Sequence, residues 1–285
     1  MASSSPLLRI ISSILRRRKE VHLKQKKRQW LFDKRQKFAI GVGILSLGLF
    51  GASVTFNGYG IVLSALLALL SDLFLYWAIH EDLQENFSPQ VFILPFLYSL
   101  SFGLFSFLAP ARLLTRLILT SLYAVGLYSV FLSENIFIVA SVRTIALLNS
   151  ARIVSLVISL VTFFFLTNTT FSLRLFVLPA ILLVVAITCF LSIHAIWTYS
   201  LEKSLRKDLL WIGIITLCLL ELSVLLWFWP TSPTVLALFL TSMWYVLVGL
   251  SHVWLDKRLF RNVLWEYLWV GIIAFAVLVS FTKWQ

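Results

Sequence analysis

Six ionisable residues of this chain lie inside or at the ends of long apolar stretches, and these are the side chains that could do chemistry. They are Glu221, Asp72, His194, His252, Glu134 and Arg152. A charge near the centre of a bilayer costs about 2.5–3.5 kcal/mol on insertion scales, so each residue needs a physical reason to be there. Carboxyl and imidazole groups in such a place can carry protons or bind a polar solute, and they can also bond one helix to another.

The two carboxylates that lie deepest in apolar sequence are Glu221, near the midpoint of its stretch, and Asp72. Two interpretations of Glu221 remain open: a carboxyl that bonds a neighbouring helix, or one that couples a proton or a substrate. For Asp72, the adjacent Ser71 favours a polar contact between helices. A small-solute or proton-coupled transporter that uses both carboxylates requires a cavity that joins them.

The other four residues lie toward one side of the predicted membrane layer. Glu134 closes the fourth apolar stretch and Arg152 opens the fifth, so we expect a structural ion pair between them. We expect His194 and His252 to be polar residues at the membrane interface. Two histidines without acidic neighbours make a poor metal site, so neither a metal nor a cofactor is expected. Convergence of all four residues on one cytoplasm-facing pocket would instead favour a lipid-modifying enzyme.

Nine apolar stretches of roughly 20 residues must position these side chains, and a helix of that length crosses a hydrocarbon layer of ~30 Å. The chain is 60% hydrophobic and 13% charged, with a mean hydropathy of +0.94. We therefore predict an all-α polytopic bundle. The expected spans are 38–56, 59–80, 90–108, 112–133, 148–167, 172–197, 209–229, 232–255 and 262–281. The stretch 134–150 is ambiguous: it either extends the fourth helix or forms an interfacial connector.

The distribution of Lys and Arg predicts the orientation of the bundle. With the N-terminus in the cytoplasm, 20 of the 24 Lys and Arg residues lie on the inner side. An odd number of spans then places the C-terminus outside. Tryptophans such as Trp197 and Trp211 lie near expected span ends, where an indole ring suits the headgroup level.

The basic N-terminal tail, residues 1–37, is the second predicted unit beside the membrane domain, 38–285. It holds 12 Lys and Arg residues against Glu20 and Asp33. Apolar residues at helical spacing between Leu7 and Leu15 predict an amphipathic interfacial helix followed by a polybasic segment. We expect lipid-headgroup contacts from Arg16, Arg17, Arg18, Lys19, Lys24, Lys26, Lys27 and Arg28. The expected partners are anionic lipids on the cytoplasmic side, and a partner membrane protein; no nucleic-acid partner is expected.

No enzyme motif accompanies these residues. The sequence contains no HExxH zinc pair, no aspartate-rich DDxxD motif and no P-loop. The leading hypothesis is therefore a non-enzymatic protein that binds lipid or a partner membrane protein within the bilayer. A transporter and a lipid-modifying enzyme remain the alternatives.

About half of the chain, toward its C-terminus, resembles a family of small bacterial multi-spanning proteins of the domain-of-unknown-function kind. The resemblance rests on Glu221, on Trp227 to Pro230, on Tyr245, Glu266, Tyr267 and Trp284, and on residues 135–143. It implies a bacterial inner-membrane protein of unassigned activity. It supplies no catalytic residues.

Overall fold

Nine long helices account for most of the residues that the structure describes. This computed structural model describes residues 34–55, 59–83, 88–110, 112–141, 146–201, 208–255 and 260–282. The helices are α1 (Lys34–Thr55), α2 (Gly60–Leu83), α3 (Ile93–Leu108), α4 (Leu113–Ala140), α5 (Leu148–Ser172), α6 (Val177–Ser200), α7 (Leu209–Trp227), α8 (Pro233–Leu255) and α9 (Arg261–Ser280). A short 3-10 turn, Pro89–Phe92, precedes α3.

Nine helical segments among the described residues are long and apolar enough to cross a membrane, the third of them being α3 together with the 3-10 turn that precedes it, Pro89–Leu108. A spanning segment must satisfy its own backbone hydrogen bonds, because hydrocarbon offers none, and a continuous helix does so. For the part of the chain that the structure describes, the predicted all-α bundle of about nine spans is therefore confirmed, and the chain is a multi-pass membrane protein. The direction in which it crosses the membrane stays a prediction.

The ambiguous stretch 134–150 mostly extends the fourth helix. α4 continues to Ala140, beyond the expected end at 133, and α5 begins at Leu148. The tail lies outside the described residues, and so do its predicted amphipathic helix and headgroup-binding side chains. The first described residue, Lys34, already begins α1.

Successive spanning helices joined by short connections run in opposite directions. We call the side at which α1 begins, at Lys34, the N-terminal face. We call the other side, where α2 begins after Tyr59, the opposite face. The ends of α2, α4, α6 and α8 therefore lie at the N-terminal face, together with the beginnings of α3, α5, α7 and α9.

Helix α5 lies at the centre of the bundle, where it packs against α3, α4, α6 and α8. On one side of it α1, α2, α3 and α4 pack together, and on the other side α6 packs against α7 and α8. α9 packs mainly on α8 at the edge of the bundle. The interior thus consists of a four-helix group and a second group that meet along α5.

Two glycines let helices approach closely, as is common in membrane bundles. A Cβ atom at Gly126 would overlap the hydroxyl of Tyr98, and one at Gly249 would overlap the ring of Tyr267. Tyr98 stacks on Tyr123 with ring centroids 5.7 Å apart and donates a hydrogen bond to the carbonyl of Leu122. These contacts fix α3 on α4 and α9 on α8.

Candidate functional site

A buried hydrogen bond between Glu134 and His194 is the centre of the candidate site. Nε2 of His194 lies 2.8 Å from Oε1 of Glu134, and neither side chain is exposed. The pair brings α4 and α6 together in the half of the bundle nearer the N-terminal face. A single proton serves this bond, and either the carboxyl or the imidazole can hold it.

The local sequence explains why both side chains point inward. On α4, Glu134 continues the helical spacing of the buried residues Leu127 and Phe131. On α6, His194 follows Ile187 and Leu191 in the same way. Residues three and four apart share one helix face, so each ionisable group occupies a place in an otherwise apolar buried stripe.

Asp72 adds a second carboxyl from α2. It is partly buried, and its Oδ1 atom is enclosed without a hydrogen-bond partner among the described residues. Asp72 is near enough to Glu134 for the two groups to interact electrostatically. The adjacent Ser71 donates hydrogen bonds to the carbonyls of Ala68 (2.7 Å) and Pro95 (3.1 Å), which tie α2 to α3.

Several polar atoms around this pair have no hydrogen-bond partner within the described part of the chain. They are Oε2 of Glu134, Nδ1 of His194, Nε1 of Trp197 and Oδ1 of Asp72. The ring centroids of Trp197 and His194 are 6.1 Å apart. Leaving one buried donor or acceptor unsatisfied costs about 1–3 kcal/mol, so four near one another make a site that the fold tolerates at considerable cost.

A second group of polar side chains holds the end of α6. The Nε and Nη2 atoms of Arg152 donate hydrogen bonds to the carbonyls of Thr198 (3.0 Å) and Tyr199 (2.9 Å). The guanidinium also lies over the Tyr199 ring, 4.5 Å from its centroid. The last carbonyls of a helix lack partners within the helix, and a cation is favourable there. Arg152 therefore fixes the helix end that carries His194.

His252 contributes to the same anchor from α8. Its Nε2 atom donates a hydrogen bond to the carbonyl of Ala195 (3.1 Å), and its ring stacks on Tyr199 with centroids 3.6 Å apart. Leu201 follows α6 in the left-handed conformation, with φ of 48°, and its amide donates to the carbonyl of Trp197. This conformation costs a branched residue some energy, so the helix end is held by contacts around it.

The structure changes two expectations about this region. Glu134 is hydrogen-bonded to His194, while Arg152 donates hydrogen bonds to backbone carbonyls. The prediction of a Glu134–Arg152 ion pair is therefore wrong. Both histidines lie inside the bundle and not on its surface, since His194 is fully buried and His252 is 5% exposed; their depth at the membrane interface stays a prediction. Glu134 and His194 form one cluster, whereas Arg152 and His252 serve the backbone of α6. The four residues do not share one pocket.

Glu221 occupies an unexpected position on the outer surface of α7. It is exposed, and so are the residues one turn before and after it, Leu217 (57%) and Leu225 (65%). No described residue hydrogen-bonds to its carboxyl. The expectation that it bonds a neighbouring helix of this chain is wrong. It does not face a common interior space with Asp72, because it points away from the bundle.

Trp197 is the functional candidate that sequence reasoning missed. Its position near an expected span end indicated an interfacial ring, yet it is fully buried and contacts Phe137 edge-on at 6.2 Å. Its spacing three residues after His194 places both on one face of α6, and that spacing was the available signal. Among the described residues, no three or more His, Cys, Asp or Glu side chains are grouped so that they could hold a metal ion.

The sequence matches the family described as protein of unknown function (DUF5656) over residues 41–281. The chain belongs to the DUF5656 family. The match begins within α1 and ends just after α9, so membership covers the whole membrane domain and not only the C-terminal half. Every residue of the Glu134–His194 cluster lies within the DUF5656 region. No curated protein and no solved structure matches the chain.

Proposed function

We propose that this protein is a proton-coupled transporter of a small solute, in which the Glu134–His194 pair carries the proton. The observation that carries the proposal is the hydrogen bond of 2.8 Å between two fully buried ionisable side chains inside the spanning helices. Ionisable groups that face the interior of a membrane bundle commonly mark ion pathways and proton relays. Asp72 supplies a second carboxyl within electrostatic range of this pair.

The energetics favour a proton-carrying role over simple helix bonding. Apolar side chains of similar size would fill the space between α4 and α6 without the desolvation of a carboxyl and an imidazole. A purely structural pair would be expected to satisfy all its polar atoms. Here Oε2 of Glu134 and Nδ1 of His194 have no partner among the described residues. Both atoms are therefore available to accept or pass on a proton.

Buried hydroxyl groups lie along one face of α5, which runs from the N-terminal face to the opposite face. Ser155, Ser159, Thr162 and Thr169 are all buried and recur at helical spacing. Thr169 borders a cavity of about 380 Å³ at the opposite face. Hydroxyl groups on one helix face also permit close helix packing. Because burial of these hydroxyl groups fits a polar route for a solute as well as close packing, the experiment below measures solute movement directly.

Currents from proteoliposomes on a solid-supported membrane test the proposal. Acid pulses and a panel of sugars, amino acids, carboxylates and monovalent cations are applied to the parent protein, to Glu134→Gln and to Glu266→Gln. Glu266 is an exposed carboxyl on α9 and serves as the matched control. We expect at least one solute, or the acid pulse itself, to produce a current in the parent protein and in Glu266→Gln but not in Glu134→Gln.

Two results would overturn this function. One is a current of equal size in Glu134→Gln and the parent protein, because the substituted amide cannot exchange a proton. The other is no current for any solute or acid pulse from parent protein that remains folded in the vesicles, as judged by its unfolding temperature after extraction.

Lipid binding within the bilayer is a second candidate, favoured by the cavity at the opposite face. Its walls include Tyr59, Val62, Phe107 and Leu108, and the unpartnered hydroxyl of Thr169 provides a polar point. A volume near 380 Å³ falls within the usual range of roughly 300–1,000 Å³ for small-ligand sites. An acyl chain with its ester oxygen near Thr169 would suit this combination. Anionic lipids at the basic tail belong to the same proposal.

Native mass spectrometry of protein extracted with its lipids tests that candidate. Val62→Trp would fill the cavity mouth, while Leu69→Trp adds the same ring to an exposed position elsewhere on α2. We expect Val62→Trp to release retained lipid and Leu69→Trp to keep it. Equal retention by both variants would exclude the cavity as a lipid site.

A further inference from the structure

The carboxyl of Glu221 lies where the described residues of a single copy of the chain offer it no hydrogen-bond partner. α7 is 19 residues long, and Glu221 lies three residues from its midpoint, which is about 4.5 Å along the axis. The side chain is exposed on the outer surface, so hydrocarbon surrounds it. A polar group in hydrocarbon is unfavourable until it finds a hydrogen-bond partner.

A protein group at the same depth can satisfy this carboxyl without distorting the bilayer around it. The other exposed ionisable side chains of the described spans, such as Arg112, Arg174 and Arg261, lie at or near helix ends. No outward-facing cation at the depth of Glu221 is therefore available on the described surface of a second copy. The group that a second copy does present at this depth is its own Glu221.

A two-fold axis along the membrane normal brings like residues together at equal depth. Two protonated carboxyls facing each other form two reciprocal O–H···O hydrogen bonds and need no counter-charge. The same arrangement holds one shared proton between two oxygens if one carboxyl ionises. Each copy thereby supplies what the other lacks.

The surroundings of Glu221 on α7 suit such a contact. Gly213, Leu217, Glu221 and Leu225 follow one another at intervals of four residues and are all exposed, so they form one continuous face. A Cβ atom at Gly213 would meet nothing within 4 Å, so this end of the face is open. α7 packs on α6 and α8 through its other sides, including the buried Ile215 and Leu219.

We propose that two copies of this chain associate in the membrane through the outer face of α7, with Glu221 of each copy hydrogen-bonded to Glu221 of the other. The interface is isologous and is centred on Leu217, Glu221 and Leu225. This inference is independent of the transport proposal, because Glu221 lies on the outer surface of the bundle and the Glu134–His194 pair is buried inside it.

Disulfide crosslinking in lipid vesicles tests the geometry. The native cysteines Cys189 and Cys218, both free, are first replaced by alanine. Leu217→Cys and Leu225→Cys then place a thiol on the proposed interface, and Leu69→Cys places one on an exposed site of α2. After mild oxidation at high lipid-to-protein ratio, we expect a covalent dimer from the two α7 variants and not from Leu69→Cys.

Fluorescence energy transfer between labelled copies, measured against lipid dilution, tests the role of the carboxyl. Glu221→Gln keeps the hydrogen-bonding groups and should dimerise like the parent protein. Glu221→Leu removes them, and its dissociation constant should rise about tenfold, which corresponds to about 1.4 kcal/mol for the two interhelical hydrogen bonds together.

Any of three results would contradict the proposal. The parent protein could remain monomeric at all dilutions, Leu69→Cys could crosslink as readily as Leu217→Cys, or Glu221→Leu could dimerise as tightly as the parent protein. The last result would show that apolar packing alone holds the copies together. Purification of a single copy bound through α7 to a different membrane protein would also contradict the proposal, because that protein and not a second copy would cover this face.

Discussion

Nε2 of His194 lies 2.8 Å from Oε1 of Glu134, and both side chains are 0% exposed within a bundle of spanning helices. This bond joins α4 to α6 at a place that the surrounding helices enclose. The two residues are therefore energetically coupled: the loss of either one leaves the other buried without its partner.

The first prediction concerns that coupling. Glu134→Ala and His194→Ala should each lower the free energy of unfolding, and the double variant should be less destabilised than the sum of the two. We expect an interaction energy of about 0.5–3 kcal/mol, as for residues in direct contact. Unfolding in mixed micelles titrated with SDS measures it. Strictly additive effects would show that the two side chains do not interact in the folded protein.

The second prediction concerns Asp72, whose enclosed Oδ1 atom lacks a described partner and which lies within electrostatic range of Glu134. Asp72→Asn removes the like-charge interaction while keeping the shape of the side chain. We expect a gain of about 0.5–2 kcal/mol in unfolding free energy, together with a weaker proton-coupled current. Unfolding in mixed micelles titrated with SDS measures the change in stability, and proteoliposome currents measure the change in proton coupling. A less stable Asp72→Asn would mean that the ionised carboxyl has a stabilising partner.

A third prediction tests the anchor at the end of α6. Arg152→Lys keeps the positive charge but cannot donate to the carbonyls of Thr198 and Tyr199 in the same fork or stack on the Tyr199 ring. We expect a loss of about 1–3 kcal/mol, measured by thermal unfolding in detergent. Arg174→Lys, at an exposed arginine, is the control and should leave stability unchanged. If Arg152→Lys and Arg174→Lys change stability equally, the hydrogen bonds of Arg152 do not stabilise the end of α6.

The close approach of α3 and α4 yields a fourth prediction. Gly126→Ala should destabilise the bundle by about 1–3 kcal/mol, because the added methyl group overlaps the Tyr98 hydroxyl. Tyr98→Phe removes that hydroxyl and its hydrogen bonds to the carbonyls of Leu122 and Tyr123. The double variant should recover part of the loss caused by Gly126→Ala. If the double variant loses as much unfolding free energy as the two single variants lose together, the overlap between the methyl group added at Gly126 and the Tyr98 hydroxyl is contradicted.

The fifth prediction concerns orientation. If the basic tail is cytoplasmic, a cysteine at Tyr59, before α2, should react with a membrane-impermeant maleimide added to intact cells. A cysteine at Leu147, before α5, should react only after the membrane is opened. Both positions are exposed, at 69% and 60%, so accessibility alone does not separate them. The reverse pattern of labelling would show that the chain crosses the membrane in the opposite direction.

The number and type of the helices could be predicted from the sequence because span length is set by membrane thickness. Partners could not be predicted, since they depend on the order and rotation of the helices. Glu134 illustrates this limit: Arg152 is its neighbour along the chain on the same side, but α6 inserts His194 into the contact. α7 illustrates another, because a helix that is apolar all around gives no periodic signal for the direction of Glu221.

Trp197 shows how a correct general rule can miss a particular side chain. Indole rings favour the headgroup level, and this residue lies within one turn of the end of α6. The ring nevertheless turns inward, because Phe137 and His194 border it on the buried side of the helix. Tertiary packing decides between the two positions.

The way α6 is fastened also determines how the bundle can rearrange. Arg152 from α5 and His252 from α8 hold the final turns of α6, and Trp244 of α8 donates a hydrogen bond to Ser192 one turn deeper. Hydrogen bonds thus join α6 to both α5 and α8, and the three helices form one rigid group. Among the described residues, the contacts of α6 with α4 are between side chains: Glu134 with His194, and Phe137 with Trp197. The hydrogen bond of the pair can therefore open by a movement of α4, or by rotation of either side chain, while the hydrogen bonds that hold α5, α6 and α8 together stay intact.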